Sequence, residues 1–243
     1  MRTAYVKGAR GVRRGAERLG ILAALDRRYG AAPRSFGGHL RTLFAIHDVD
    51  DMIRLDTPWW TYGAIRSVDG HLARLAGSAR VFEYGSGASS LWLSARSGEV
   101  WTVEHDAGFA EVMRSAFARS GVDGRVHFLE VPPAEMAEPR TRSGRRGEDH
   151  FDYSEYARAI EQAGGHFDLV VVDGRARVAC CAAAVPHLAP GGIIVFDDSQ
   201  RPRYRGGVTG SGLPVRRFRG WVPSLPYPRE TAILGPARAA GPR

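Results

Sequence analysis

Two carboxylates and a glycine bend between them are the first residues in this sequence that could hold a ligand. Gly85-Ser86-Gly87 follows a predicted strand over residues 80–84 and precedes a predicted helix over 88–97. Glycines at such a junction let the backbone turn sharply and let a ligand approach the main chain. Glu83 stands just before the bend, and Glu104 ends the next predicted strand. A carboxylate about 20 residues beyond the bend is placed to accept hydrogen bonds from both hydroxyls of a ribose.

The position of Glu83 indicates which nucleoside would fit. A dinucleotide-binding loop would have a third glycine where Ser90 stands, and a carboxylate at Glu83 would repel a pyrophosphate. A cationic ligand would be attracted instead. S-adenosylmethionine carries an ammonium and a sulfonium group, so this pair of acids fits it better than it fits NAD. Asp106, two residues beyond Glu104, is expected to cap the following helix.

Three more acids follow two later strands. Asp173 ends the predicted strand 167–172, and Asp197 and Asp198 follow the predicted strand 193–196. Neighbouring strands lie about 4.8 Å apart, so these carboxylates would converge at the edge of the sheet where ligands bind. Three hard oxygen donors suit Mg²⁺, and the sequence predicts a magnesium site there. The alternative is that Asp198 caps the next segment and Asp173 opens a turn. Asp173 is also the expected catalytic residue, accepting a proton from the attacking group.

The elements that must position these residues alternate between strand and helix from residue 80 to residue 196. Alternation of this kind predicts a parallel sheet with right-handed crossovers. The segments 216–222 and 231–234 look like an antiparallel hairpin added to that sheet. Before residue 80 we expect helices over residues 2–30, 39–55 and 61–75. The polar segments 132–149 and 200–212 are expected to be loops at the ligand-binding edge, either lids or disordered surface.

The order of these motifs resembles that of class I S-adenosylmethionine-dependent methyltransferases over roughly residues 58–234, and the aspartate pattern resembles that of metal-dependent small-molecule O-methyltransferases. The resemblance rests on Glu83-x-Gly85-x-Gly87, Val103-Glu104-His105-Asp106, Phe167-Asp168-Leu169-Val170-Val171-Val172-Asp173-Gly174 and Leu188-Ala189-Pro190-Gly191-Gly192. It implies a Rossmann-like α/β fold, with a seven-stranded, mostly parallel sheet, a C-terminal antiparallel hairpin and preceding N-terminal helices. It also implies methyl transfer from S-adenosylmethionine to an acceptor, expected to be a hydroxyl of a small molecule or sugar.

The same resemblance assigns cofactor contacts. Glu83, Gly85 and Gly87 would contact the methionine part, Glu104 the ribose, and Val131 would lie near the adenine, although the usual Asp-Ala pair is missing there. Tyr62 either reaches the methionine carboxylate or belongs to a hydrophobic hinge with Trp59 and Trp60. The full expected set of cofactor-binding residues is Tyr62, Glu83, Gly85, Ser86, Gly87, Ser89, Glu104, His105, Val131 and Asp173.

Charge sets the N-terminal segment apart from the rest. The chain has a net charge of +8 over 243 residues, and Met1 to Phe36 contains nine basic residues against two acidic ones. We expect residues 1–57 to form a basic helical extension and residues 58–243 to form the cofactor-binding domain. The extension either packs on that domain or touches an acidic membrane surface or partner. Without an apolar run of about 20 residues or a signal peptide, a cytoplasmic location is expected.

Cys180 and Cys181, adjacent in sequence, are expected to be small buried side chains.

Other functions stay open at this point. A methyltransferase acting on RNA or another macromolecule would fit the basic charge. However, the chain has Asp173-Gly174-Arg175 where amino-methylating nucleic-acid enzymes carry an Asn/Asp-Pro-Pro-aromatic motif, so nucleic acid is not the expected partner. An aminopropyl transferase shares the acid-Gly-x-Gly loop, and a non-catalytic protein could keep the fold.

Overall fold

A computed structural model describes Ala16 and residues 18–45, 48–122 and 124–236. The strands of these residues are β1 Arg80–Tyr84, β2 Glu99–Glu104, β3 Val126–Glu130, β4 Ala134–Glu135, β5 Phe151–Asp152, β6 Phe167–Val172, β7 Leu188–Asp197, β8 Val215–Gly220 and β9 Arg229–Leu234. Seven of them form one sheet in the order β3-β2-β1-β6-β7-β9-β8. The two short strands β4 and β5 pair separately.

Strand direction divides the sheet into a parallel part and an antiparallel end. β1 pairs in parallel with β2 and β6, β2 with β3, and β6 with β7. β9 runs antiparallel to both β7 and β8. The predicted Rossmann-like sheet with a C-terminal antiparallel hairpin is therefore confirmed. β1 and β6 are neighbours, as are β6 and β7, so the carboxyl ends that carry Tyr84, Val172 and Asp197 lie side by side.

Helices precede the sheet and then alternate with its strands. They are α1 Ile21–Ala31, α2 Phe36–Thr42, α3 Val49–Arg54, α4 Tyr62–Arg74, α5 Ala88–Ser94, α6 Ala107–Ser120, α7 Ser154–Ala163, α8 Arg177–Ala184 and α9 Arg205–Gly210. Short 3₁₀ turns occur at Leu43–Ala45, Val185–His187 and Pro202–Tyr204. Among the described residues, no helix is both long enough and apolar enough to cross a bilayer.

The sheet has an apolar layer on each face because its strands alternate their side chains. On one face Val81 and Val171 pack with residues of α4, α5 and α6. On the other face Phe82 and Val172 pack with α7 and α8. Cys180 and Cys181 are fully buried in this second layer, as expected. The alternation also places Glu83 on the Val81 face, under α5.

The N-terminal helices are held by a buried ion pair as well as by apolar contacts. Arg41 and Asp51 are 1% and 0% exposed, and two hydrogen bonds of 3.0 and 2.8 Å join them. The single helix predicted over 39–55 is wrong. Asp48 accepts a hydrogen bond from the backbone N–H of Asp51 and so starts a new helix, α3. Of the helix predicted over 2–30, residues 2–15 and 17 lie outside the described part of the chain.

Candidate active site

Two glycines from neighbouring strand ends meet at the bend that follows β1. Gly85 has φ +92°, and a Cβ added to it would lie 2.6 Å from the Cα of Gly174, the second residue after β6. A Cβ on Gly174 would lie 2.0 Å from the Tyr156 hydroxyl oxygen. Only residues without side chains fit at this contact. The bend is thereby fixed directly against the strand end that carries Asp173.

Glu83 supports the bend from behind. Its side chain is 0% exposed and accepts hydrogen bonds from the hydroxyls of Ser89 at 2.5 Å, Thr102 at 2.9 Å, and Ser90. Ser90 in turn accepts a hydrogen bond from the backbone N–H of Gly87. Burial raises the pKa of Glu83 to about 7, although the three hydroxyl donors act to lower it. The carboxyl therefore connects α5, β2 and the glycine bend.

Glu104 faces the open side of the bend. One carboxylate oxygen accepts hydrogen bonds from the backbone N–H groups of His105 and Asp106 at 2.8 and 3.0 Å, and the other accepts one from Ser86 Oγ at 3.1 Å. His105 Nδ1 lies 2.6 Å from the same carboxylate. Burial alone would raise the pKa of Glu104, but His105 and the backbone donors lower it. Glu104 is therefore an ionised, oriented acceptor. Asp106 caps α6 as predicted, accepting from the N–H of Phe109 at 2.9 Å.

The three aspartates at the ends of β6 and β7 line one cavity, each beside an arginine. Arg177 Nη2 lies 2.7 Å from Asp173 Oδ1, and its Nη1 lies 3.7 Å from Asp197 Oδ2. Asp198 is paired with Arg201 at 2.6 Å and also with Arg229.

This pairing bears on the predicted magnesium site. Within the part of the chain that is described, no group of three His, Cys, Asp or Glu side chains is arranged to hold a metal ion. Guanidinium groups already neutralise the three carboxylates, so the donor set in this arrangement does not fit Mg²⁺. The magnesium site stays a prediction, and no chemical step below depends on it.

The protonation of the three aspartates differs with their surroundings. Burial raises the pKa of Asp173, the charge of Arg177 lowers it, and that of Asp198 raises it again, with a net upward shift. Burial and the charges of Asp173 and Asp198 raise the pKa of Asp197 well above its usual range. The pKa of Asp198 is lowered, because its arginine partners outweigh its burial. Asp173 remains 22% exposed, and thus accessible from the cavity.

Arg177 holds the two strand ends together through the backbone as well. Its guanidinium donates to the carbonyl oxygens of Asp173 at 2.7 Å, Gly174 at 3.1 Å and Asp197 at 2.6 Å. These three bonds connect the ends of β6 and β7 and fix the position of Asp173 from its own main chain.

The cavity that these elements enclose has a volume of about 650 Å³. Most of the predicted site residues line it, namely Gly85, Ser86, Gly87, Ser89, Glu104, His105, Asp173, Asp197 and Asp198. Sequence reasoning did not assign a role to several others, namely Phe109, Arg145, Gly174, Arg175, Arg177, Arg201, Val222, Leu225 and Arg229. Trp59, from the aromatic cluster before α4, also lies in its wall and donates a hydrogen bond to Ser224 Oγ at 2.6 Å.

Three predicted cofactor residues are not among those lining the cavity. Glu83 lies behind the bend, as described above. The Tyr62 hydroxyl lies 3.2 Å from His39 Nδ1, and Tyr62 lines a separate cavity next to the N-terminal helices. Val131 continues β3, donating its N–H to the Glu104 carbonyl at 2.8 Å, and is partly buried against the sheet. Their direct contact with a cofactor stays a prediction.

Comparisons with known proteins agree with this geometry. Residues 82–199 match a family model described as a methyltransferase domain. No curated protein sequence matches the chain. An O-methyltransferase from Bacillus cereus, solved in complex with SAH, is 16% identical with a TM-score of 0.55, covering 87% of this chain and 97% of that one. Cofactor-bound Rv0187 from MTB is 22% identical with a TM-score of 0.51, covering 86% and 94%. These likenesses show the fold.

Proposed function

We propose that the chain, whose residues 82–199 match a methyltransferase domain, is a class I S-adenosylmethionine-dependent methyltransferase that methylates a hydroxyl group of a small molecule or sugar, with Asp173 as the proton acceptor. The observation that carries this proposal is the contact between Gly85 and Gly174. It brings the strand end that would hold the cofactor directly against the strand end that carries an accessible carboxylate.

We assign cofactor binding to the residues around the bend. Glu104 is ionised and held by two backbone N–H groups, so its oxygens are oriented to accept hydrogen bonds from the ribose hydroxyls. Gly85 and Gly87 leave room for the ligand at the main chain, and His105 lies beside Glu104. Glu83 acts in this proposal as a positioning residue, because its three hydrogen bonds fix the bend and the start of α5.

When bound, S-adenosylmethionine supplies an electrophilic methyl group. An alcohol is a poor nucleophile until its proton is removed, so a base beside the acceptor is needed. Asp173 suits this role because it faces the cavity and its raised pKa makes it a stronger base than an ordinary aspartate. Its carboxylate would take the hydroxyl proton as the oxygen attacks. The remaining contribution of the protein is to align the two reactants and to exclude water from between them.

The experiment that tests the proposal is a calorimetric titration with S-adenosylmethionine and, separately, with NAD. We expect binding of the first only. Glu104→Ala should weaken cofactor binding at least about tenfold, since ribose hydroxyls lose a charged acceptor worth roughly 1.5–3 kcal/mol. Glu111→Ala is the matched control, because Glu111 is a 75% exposed side chain on α6. Equal cofactor affinity in the two variants would remove Glu104 from the site.

A panel of hydroxyl compounds then tests the acceptor class. Methyl transfer to oxygen, followed by mass spectrometry of the product, supports the proposal. Methylation confined to RNA or protein, with small hydroxyl compounds inert, would exclude it.

A further inference from the structure

One glutamate, Glu148, holds two arginines at the wall of the cavity. Arg145 and Arg175 both line the cavity. Arg145 Nη1 lies 3.3 Å from Glu148 Oε1, and Arg175 Nε lies 3.2 Å from Glu148 Oε2. Arg145 belongs to the segment between β4 and β5, whereas Arg175 follows the end of β6. A single carboxylate therefore joins a loop to the sheet edge and brings two positive charges together.

Glu148 is itself firmly held. Its carboxylate accepts hydrogen bonds from Ser143 Oγ at 2.8 Å and from the Tyr153 hydroxyl at 3.1 Å. Burial acts to raise its pKa, but Ser143, Arg175, Tyr153 and Arg145 together lower it. The carboxylate is thus ionised and its position is fixed by donors from both sides. The arginines that it holds are consequently oriented, unlike free arginines on a surface.

Neither arginine is fully used by Glu148. Among the side-chain hydrogen bonds of the described residues, that of Arg175 runs through Nε, so its two terminal nitrogens keep their donors. Arg175 is 25% exposed and Arg145 is 43% exposed. A guanidinium with free terminal N–H groups binds a carboxylate or phosphate through two parallel hydrogen bonds. The pair is therefore built to accept an anion from the cavity side.

The arginines of the cavity differ in how far they are neutralised. The wall carries the arginines Arg145, Arg175, Arg177, Arg201 and Arg229. Arg177, Arg201 and Arg229 pair with the three aspartates. Arg145 and Arg175 share the single carboxylate of Glu148, which leaves positive charge to attract an anionic ligand.

We propose that Arg145 and Arg175, held by Glu148, bind an anionic group of the acceptor, a carboxylate or a phosphate. The inference rests on the proposed function, because it takes the molecule that contacts Arg145 and Arg175 to be the acceptor. The acceptor is then a hydroxyl compound that also carries a negative charge. The arginine pair would orient its hydroxyl toward Asp173, which lies two residues before Arg175.

The test separates anion binding from cofactor binding. The protein is saturated with S-adenosylhomocysteine and titrated by calorimetry with inorganic phosphate, and separately with benzoate, at constant ionic strength. We expect the wild type to bind at least one of the two anions. Arg175→Gln and Arg145→Gln should each weaken that binding about tenfold or more, the loss of one charge-assisted hydrogen bond. Stronger binding of phosphate or of benzoate tells which anionic group the site prefers, and either supports the proposal.

A matched control is Arg158→Gln. Arg158 is a 60% exposed arginine on α7 that pairs with two glutamates of the same helix. It should leave both anion and cofactor binding unchanged, and circular dichroism melts should show that all variants fold. Equal anion affinity in wild type and Arg175→Gln, or no binding of either anion by the wild type, overturns the inference. A loss of S-adenosylhomocysteine affinity in Arg175→Gln also overturns it, because the arginine would then serve the cofactor. Failure of the proposed function would give a different result, because the wild type would then not bind S-adenosylhomocysteine.

Discussion

Replacing Glu83 by glutamine should change how the stability of the protein depends on pH. The Glu83 side chain is fully buried, and its pKa is raised to about 7 from an ordinary 4.5. Glutamine has nearly the same shape as a protonated glutamic acid and does not titrate. The variant therefore reproduces the neutral side chain at every pH, and the difference between the two proteins isolates the ionisation of Glu83.

The sign and size of the effect follow from proton linkage. A raised pKa means that the folded protein binds this proton more tightly than the unfolded chain does. Below the unfolded pKa of 4.5 the Glu83 carboxyl is protonated in both states, so its ionisation does not lower the free energy of unfolding. As the pH rises toward about 7 the unfolded chain ionises first, so the wild type loses stability. At 1.36 kcal/mol per unit, the shift corresponds to roughly 3 kcal/mol once the pH exceeds the folded pKa.

The assay is urea unfolding of wild type and Glu83→Gln at intervals from about pH 5 to about pH 8, followed by circular dichroism and tryptophan fluorescence. The free energy of unfolding of the wild type, relative to the variant, should fall by roughly 2.5 kcal/mol over that range, because part of the loss has already occurred at about pH 5. Glu138→Gln, at an exposed position, is the control and should run parallel to the wild type. Parallel curves for Glu83→Gln and wild type, or a wild type that gains stability relative to the variant as the pH rises, would refute the assignment of a buried neutral acid.

Four other perturbations test the site and its support. Asp173→Asn should lower kcat by about 10²–10⁴-fold with little change in cofactor affinity, measured by steady-state kinetics and calorimetry; unchanged kcat would exclude Asp173 as the base. Gly85→Ala should weaken S-adenosylhomocysteine binding at least about tenfold, because its Cβ would lie 2.6 Å from the backbone of Gly174; calorimetry measures this, and wild-type affinity would contradict it. Asp51→Asn should cost about 1.5–3 kcal/mol in urea unfolding, since the buried Arg41 loses a charged acceptor while keeping its ion pair with Asp26; a loss below about 0.5 kcal/mol would contradict it. Turnover in EDTA should stay within about twofold of turnover with Mg²⁺ if the arginines keep their pairing with the aspartates; a larger loss that Mg²⁺ restores would support the predicted metal site.

The central part of the fold was predictable because its local signals agree with its packing. The predicted bounds of β1 and β6 match the structure residue for residue. α6 begins after the cap at Asp106 and ends at Gly121, which adopts φ +62°. β6 is a short apolar run that is buried on both faces, as parallel strands usually are.

Prediction was weaker where a residue's surroundings come from distant parts of the chain. The position of Glu83 before the bend predicts a cofactor contact, which stays a prediction. It did not predict that strand alternation places the side chain under α5, where three hydroxyls donate hydrogen bonds to it. Of the three hydroxyl residues, Ser89 and Ser90 are near Glu83 in sequence, whereas Thr102 is brought next to Glu83 by the pairing of β1 with β2.

The arginines of the cavity were missed for the same reason. Arg175 donates a hydrogen bond to Glu148, which lies 27 positions away in the sequence, and Arg229 donates one to Asp198, which lies 31 positions away. Aspartates at strand ends therefore predicted a magnesium site, because their guanidinium partners are visible only after folding. The available signal was the excess of arginine in the segments 132–149 and 200–212, which flank this edge.

The three carbonyl bonds of Arg177 have a consequence for how a reaction chamber of this kind can open. They connect the ends of β6 and β7 below the cavity, so Asp173 and these strand ends form a rigid platform. Entry of reactants and release of products would then require movement of the other walls of the cavity. The wall that bears Arg145 is joined to the platform by the ion pair between Glu148 and Arg175, and Tyr153, the residue before α7, also hydrogen-bonds to this segment. An opening at this wall would break those contacts and leave the alignment of Asp173 undisturbed.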